Sequence, residues 1–263
     1  MTDSSENFEY AKSCVRYMYW YLKSMEKIYI IRGEVFMNIA NNILKYNLRN
    51  VYFLTGTALA GKTTMSKILS EKYGFVWFNY NHNGEPFKMW ESICDEKYQP
   101  IKIERDNRFN KHEEYDWDAH FNKSAEDIIA EQSGRDSNDE FLEFVMLELI
   151  KLSQSKKVIT DVSAPLELLV EITDYRRIAC LLTSPELVTT ANYGSRDDHK
   201  DYLEWIMSLN EPEKKIAKED EMFKIQTENI FKEVQKHKLF SILRNAESTV
   251  EGTLKLLEEH FML

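Results

Sequence analysis

Val51-Tyr52-Phe53-Leu54-Thr55-Gly56-Thr57-Ala58-Leu59-Ala60-Gly61-Lys62-Thr63-Thr64 is an apolar, β-branched and aromatic run that passes into the spacing G-x-x-x-x-G-K-T. Gly56 and Gly61 let the chain curl so that successive backbone N–H groups turn inward, a cradle suited to phosphate oxygens. Lys62 then reaches toward the outer phosphates of a chain of them, and the Thr63 hydroxyl suits a magnesium position. Downstream, Met65, Ile68 and Leu69 recur on one helical face. The loop therefore lies where a strand becomes a helix, and that helix adds its positive end to the site. The expected ligands are a nucleoside triphosphate, held by Gly56 to Thr64, and magnesium.

The 263 residues are 43% apolar, enough to bury the core of one elaborated α/β domain. Acidic residues number 44 against 34 basic ones, a formal charge of -10. That sign repels a polyphosphate backbone at long range, so nucleic acid is not an expected partner. Cys14, Cys94 and Cys180 are odd in number and lack C-x-x-C spacing. Neither a disulfide framework nor a zinc site is indicated, and a reducing cytoplasm fits. Met1 to Glu9 is polar and acidic, and no window of about 18 uncharged apolar residues occurs, so neither secretion nor membrane spanning is expected.

Residues 1–50 read as a helical N-terminal extension of two helices divided near Arg32-Gly33-Glu34. The first carries Tyr17-Met18-Tyr19-Trp20-Tyr21-Leu22, the second Val35, Phe36, Ile39, Ile43 and Leu44 at helical spacing. Their apolar faces are expected to pack against the sheet or against a second copy of the chain, a homo-oligomer through the extension. The main domain, 51–263, continues with a second strand over Gly74 to Tyr80, ending in Asn81, His82 and Asn83. Residues from about 84 to 140 read as a mobile or helical insertion, crowded with charge and broken at Ser133-Gly134, a place to hold an acceptor. Phe141 to Leu152 reads as a helix buried on most sides. Strands follow at Lys156 to Asp161, Arg177 to Leu182 and Leu239 to Leu243. Ser163-Ala164-Pro165 and Thr183-Ser184-Pro185-Glu186 both look like helix starts, and Ser248-x-x-Glu251 looks like a capping box for a last helix to about Phe261. Strands alternating with helices predict a parallel sheet covered on both faces.

A phosphate-binding loop is compatible with transferases, hydrolases and switches, so the second acidic element decides. Asp161 ends an apolar strand, the position from which a carboxylate meets a metal held by Thr63. The next residue is Val162, not the glutamate with which motor-type ATPases orient water. Asp161-Val162-Ser163-Ala164 lacks the glycine of a D-x-x-G switch turn, and Asn122-Lys123-Ser124-Ala125 lacks the aspartate of a guanine reader. His112 and His120 flank several carboxylates, but their spacing matches no compact ligand pattern. Arg105 and Arg108 could grip an anionic acceptor bidentately.

With these residues the chain resembles the small phosphotransferase branch of P-loop proteins: nucleoside and nucleotide kinases, shikimate kinase and the zeta-toxin sugar kinases. The resemblance covers about Val51 to Leu263 and is strongest at Gly56 to Thr64; the whole also looks like a clostridial-type group of P-loop proteins. It implies a three-layer P-loop NTPase fold with a five-stranded parallel sheet of order 2-3-1-4-5. It implies a helical lid over about 187–236 that brings Arg196 and Lys200 to the phosphates. It also implies that Arg244 and Asn245 lie beside the adenine, and that the acceptor binds over the second strand. Hydroxyl-directed relatives carry an aspartate there as general base, whereas this chain offers Asn79, Asn81 and His82. Either His82 or Asp161 takes the proton, or the acceptor is already an anion. The leading expectation is an ATP- and magnesium-dependent kinase of a small-molecule acceptor, with Lys62, Asp161 and Arg196 catalytic; acceptor contacts fall to Asn79, His82, Arg105 and Arg108. The alternative is a nucleotide-binding regulatory protein that works through its aromatic N-terminal helices.

Overall fold

Five short segments rich in Val, Ile, Leu and Phe pair side by side, all running the same way. The computed structural model describes residues 39–79, 116–136, 139–196, 200–245 and 247–263. The chain divides into two units, Met1–Leu44 and Lys45–Leu263, and the architecture that follows is that of the second. Most of the expected N-terminal extension, with its aromatic run, lies outside the described residues; its described part forms helix α1 (Ile39–Asn47).

In chain order come β1 (Val51–Gly56), α2 (Lys62–Tyr73), β2 (Val76–Phe78), α3 (Trp117–Phe121), α4 (Ala125–Asp136) and α5 (Asp139–Ser153). Then follow β3 (Val158–Thr160), α6 (Leu166–Ile172), β4 (Ile178–Thr183), α7 (Thr190–Gly194), α8 (Lys200–Met207), α9 (Pro212–Lys236), β5 (Ser241–Arg244) and α10 (Val250–Phe261). The sheet order is β2-β3-β1-β4-β5, the expected 2-3-1-4-5. β1 and β4 are central, and their continuous apolar runs are what a strand covered on both faces requires.

Side chains alternate across the sheet. Tyr52, Leu54, Ile159, Ala179 and Leu181 meet Met65 and Leu69 of α2 and Leu257 and Phe261 of α10 in one core cluster. Within it the Tyr52 ring stacks on Phe75 at 5.0 Å and meets Phe261 edge-on at 5.1 Å. The intervening residues Phe53, Val158, Cys180 and Leu182 are buried too and point the other way, where α5 packs against β3 and α9 against β4. α9 also carries Met222 against Ala125 and Ile128 of α4. Among the described residues no helix is long and apolar enough to cross a membrane.

Several expected punctuations are corrected. Ser133-Gly134 does not break the chain, because α4 runs through it, its earlier turns held against α9. Pro165, not Ser163, occupies the position before α6, with no side-chain cap. After β4, Pro185–Leu187 forms only a 3-10 turn, and the helix proper starts at Thr190, capped by the Thr189 hydroxyl. Thr249 caps α10 by accepting from Gly252 N, whereas Ser248 bonds Asn245 in the preceding turn.

Candidate functional site

Because every strand runs in one direction, the carboxyl ends of all five open on the same edge of the sheet, where ligands of open α/β folds bind. Gly56 closes β1 at φ 119°, and a Cβ there would stand 2.0 Å from the Leu181 carbonyl oxygen. Thr57 is pinned to the neighbouring strand twice: its N–H donates to Leu181 O at 3.0 Å, and its hydroxyl accepts from Thr183 N–H at 2.7 Å. The loop then turns through Leu59, which has positive φ and whose carbonyl accepts from Arg244 at 2.8 Å. Gly61 precedes α2 at φ 86°, and no side chain caps the helix. The N–H groups of its first turn have no intrahelical acceptors, and its positive end faces the same edge.

Lys62 folds back across this loop, donating from Nζ to Gly56 O at 3.1 Å and to Thr57 O at 2.6 Å. Burial pushes its ammonium down to about 8, against the pull of the Asp161 carboxylate; the Arg196 cation adds to the lowering. Thr63 donates its hydroxyl to Asp161 Oδ2 at 2.5 Å. The other carboxylate oxygen, Oδ1, accepts from Asn79 Nδ2 at 2.8 Å and Trp77 Nε1 at 3.3 Å. The pairing of Phe78 with Thr160 puts Asn79 beside Asp161, so register alone brings the amide to the carboxylate. Nearby, burial pushes the Cys180 thiol up to about 12, which keeps it protonated and inert as a nucleophile.

These groups border a cleft of about 840 Å³, a size within the usual range for small-molecule sites. Its lining joins the loop from Ala58 to Thr64 with Asn79, Asp161 and Ser163, with Thr183, Leu187, Asn192, Tyr193 and Arg196, and with Arg244, Asn245 and Ser248. The arm that carries Arg196 is itself fixed: Asp220 accepts from Thr190 N at 2.6 Å and from its hydroxyl at 2.7 Å, and Tyr193 packs against Tyr202 and Phe223.

The expected residues Asn79, Lys62, Thr63, Asp161, Arg196, Arg244 and Asn245 thus come together. Lys200 starts α8 and does not border the cleft. His82, Arg105, Arg108 and His112 lie outside the described residues. His120 is buried edge-on against Trp117, and no group of three or more His, Cys, Asp and Glu able to hold a metal occurs among the described residues. Trp77 as a donor to Asp161, and Thr183, Asn192 and Tyr193 as cleft residues, carry no sequence motif; only the fold brings them here. No protein-family model matches this chain, and no curated protein matches it.

The donor set has one clear chemical bias. Thr63 and Asp161 offer only hard oxygen ligands, too few to enclose a cation, which suits magnesium bound jointly with phosphate oxygens. The uncapped helix end, Lys62, Arg196 and Arg244 offer positive charge around the same space, in a chain whose formal charge is -10.

Proposed function

We propose that the chain is an ATP- and magnesium-dependent phosphotransferase of the P-loop kinase kind, acting on a small hydroxyl or phosphate acceptor. The observation that carries this reading is the 2.5 Å contact between Thr63 and Asp161 beside a lysine folded over the glycine loop. In this reading the loop from Gly56 to Thr64 and the open end of α2 hold the triphosphate. Lys62 exchanges the Gly56 and Thr57 carbonyls for phosphate oxygens as the nucleotide enters. Thr63 and Asp161 would hold magnesium, which supplies neutralisation of the phosphate charge when bound. Trp77 and Asn79 keep the Asp161 carboxylate turned toward Thr63.

Transfer of a phosphoryl group depends mostly on position and on stabilising the charge that spreads over it. Lys62 and Arg196 both border the cleft and would meet that charge, and Arg244 and Asn245, which border it too, are the residues the resemblance assigns to the adenine. Asp161 already accepts three hydrogen bonds, a pattern suited to orienting rather than to removing a proton. The helices from Thr190 to Lys236 serve as the lid. ADP formation measured with magnesium and a panel of nucleosides, nucleotides, sugars and small metabolites tests the proposal. Acceptor-dependent ADP supports it. Nucleotide binding without transfer to any acceptor favours the regulatory alternative.

A further inference from the structure

We infer that the Thr183 hydroxyl is a contact for the terminal phosphate of the bound triphosphate, a positioning group on the β4 side of Lys62; this rests on the nucleotide reading above. β1 lies between β3 and β4, so its loop is flanked by what each neighbouring strand delivers. β3 delivers Asp161. β4 delivers Thr183, which pairs with Arg244 of β5 and borders the cleft.

Thr183 is tied closely to the lysine. Its N–H is held by the Thr57 hydroxyl at 2.7 Å, and the Thr57 carbonyl holds Lys62 Nζ at 2.6 Å. Its own hydroxyl is different: the residue is 2% exposed, and Oγ1 has no hydrogen-bond partner among the described residues. Folded proteins satisfy nearly all such groups, and an orphan calls for an explanation. Ser66 and Thr173 are also buried and unpartnered, but neither borders the cleft. Where an anion is to sit beside Lys62, a hydroxyl on the opposite flank from Asp161 can donate one charge-assisted bond. A valine would have the same β-branched shape and satisfy the strand equally well without donating.

The test uses the full chain and two variants, Thr183→Val and Thr183→Ser, titrated calorimetrically with magnesium plus either a non-hydrolysable ATP analogue or ADP. The inference predicts that Thr183→Val weakens the ATP analogue by about tenfold or more, with ADP within about twofold of wild type. Thr183→Ser keeps both affinities. The ligand-free valine variant melts no lower than wild type, since it removes an unpaired buried hydroxyl. An ATP-analogue affinity unchanged in Thr183→Val overturns the inference. So does an equal loss for both nucleotides together with a lower melting point, which would mark a structural hydroxyl. Wild-type protein that binds neither nucleotide overturns the underlying nucleotide reading, and does so without any variant.

Discussion

The two glycines of the loop look interchangeable in sequence, yet the structure assigns them different costs. An alanine Cβ at Gly56 would lie 2.0 Å from Leu181 O and 2.8 Å from Leu181 C, both backbone atoms of the central strand β4. Relief requires β1 and β4 to separate by more than about 1 Å. That breaks the 3.0 Å Thr57–Leu181 bond and leaves an alanine at φ 119°. Left-handed strain, one lost hydrogen bond and overpacking together cost about 4 kcal/mol. For a domain of this size the melting point should fall by about 8–16 °C. At Gly61 a Cβ would meet nothing within 4 Å, so only the strain at φ 86° remains, about 1 kcal/mol. Gly61→Ala should therefore fold with a small loss of stability but put a methyl group into the cradle and weaken nucleotide binding. Urea unfolding of both variants, followed by nucleotide titration of Gly61→Ala, checks the pair. Equal stability losses at the two sites, or a Gly56→Ala protein within about 1 kcal/mol of wild type, would refute the reasoning.

Trp77→Phe removes the indole donor to Asp161 while leaving a ring beneath Lys67. It should lower stability by only about 1 kcal/mol and raise the magnesium needed for half-maximal nucleotide binding by about threefold; an unchanged magnesium titration would deny Trp77 its orienting role. Burial holds Lys62 down at about 8 in the free protein, and a phosphate partner raises it again. Affinity should then be greatest below about pH 8 and decline above it, with proton uptake on binding near pH 8. Calorimetry in buffers of different ionisation heat reads that uptake; an affinity flat from about pH 7 to pH 9 would contradict it.

The parallel strands and the glycine turn between β1 and α2 were legible because both are written in local pattern: unbroken apolar runs for the central strands, and glycines at fixed spacing between a strand and a helix; the strand order came only from the family resemblance, since no local pattern encodes which strands are neighbours. Asp161 was legible in the same local way, as a carboxylate at a strand end. The helix punctuation was less so. Ser248 fits a capping box, yet its hydroxyl bonds Asn245 and Thr249 takes the cap. Gly134 costs a helix about 1 kcal/mol in isolation, but α4 packs along α9 and tertiary contact prevails. The partners of Asp161 were hidden because Trp77 and Asn79 are 84 and 82 positions distant, and only the β2–β3 register aligns them. Thr183 carries a feature no sequence pattern expresses, a buried hydroxyl with no hydrogen-bond partner among the described residues.

Calorimetric titration of the wild-type chain and of Lys62→Ala with ATP plus magnesium addresses the central claim most directly. Saturable one-site binding by the wild type, weakened about a hundredfold by loss of the lysine's charged hydrogen bonds, is the predicted result. Absence of heat with the wild type, or equal affinity in the variant, would contradict the account.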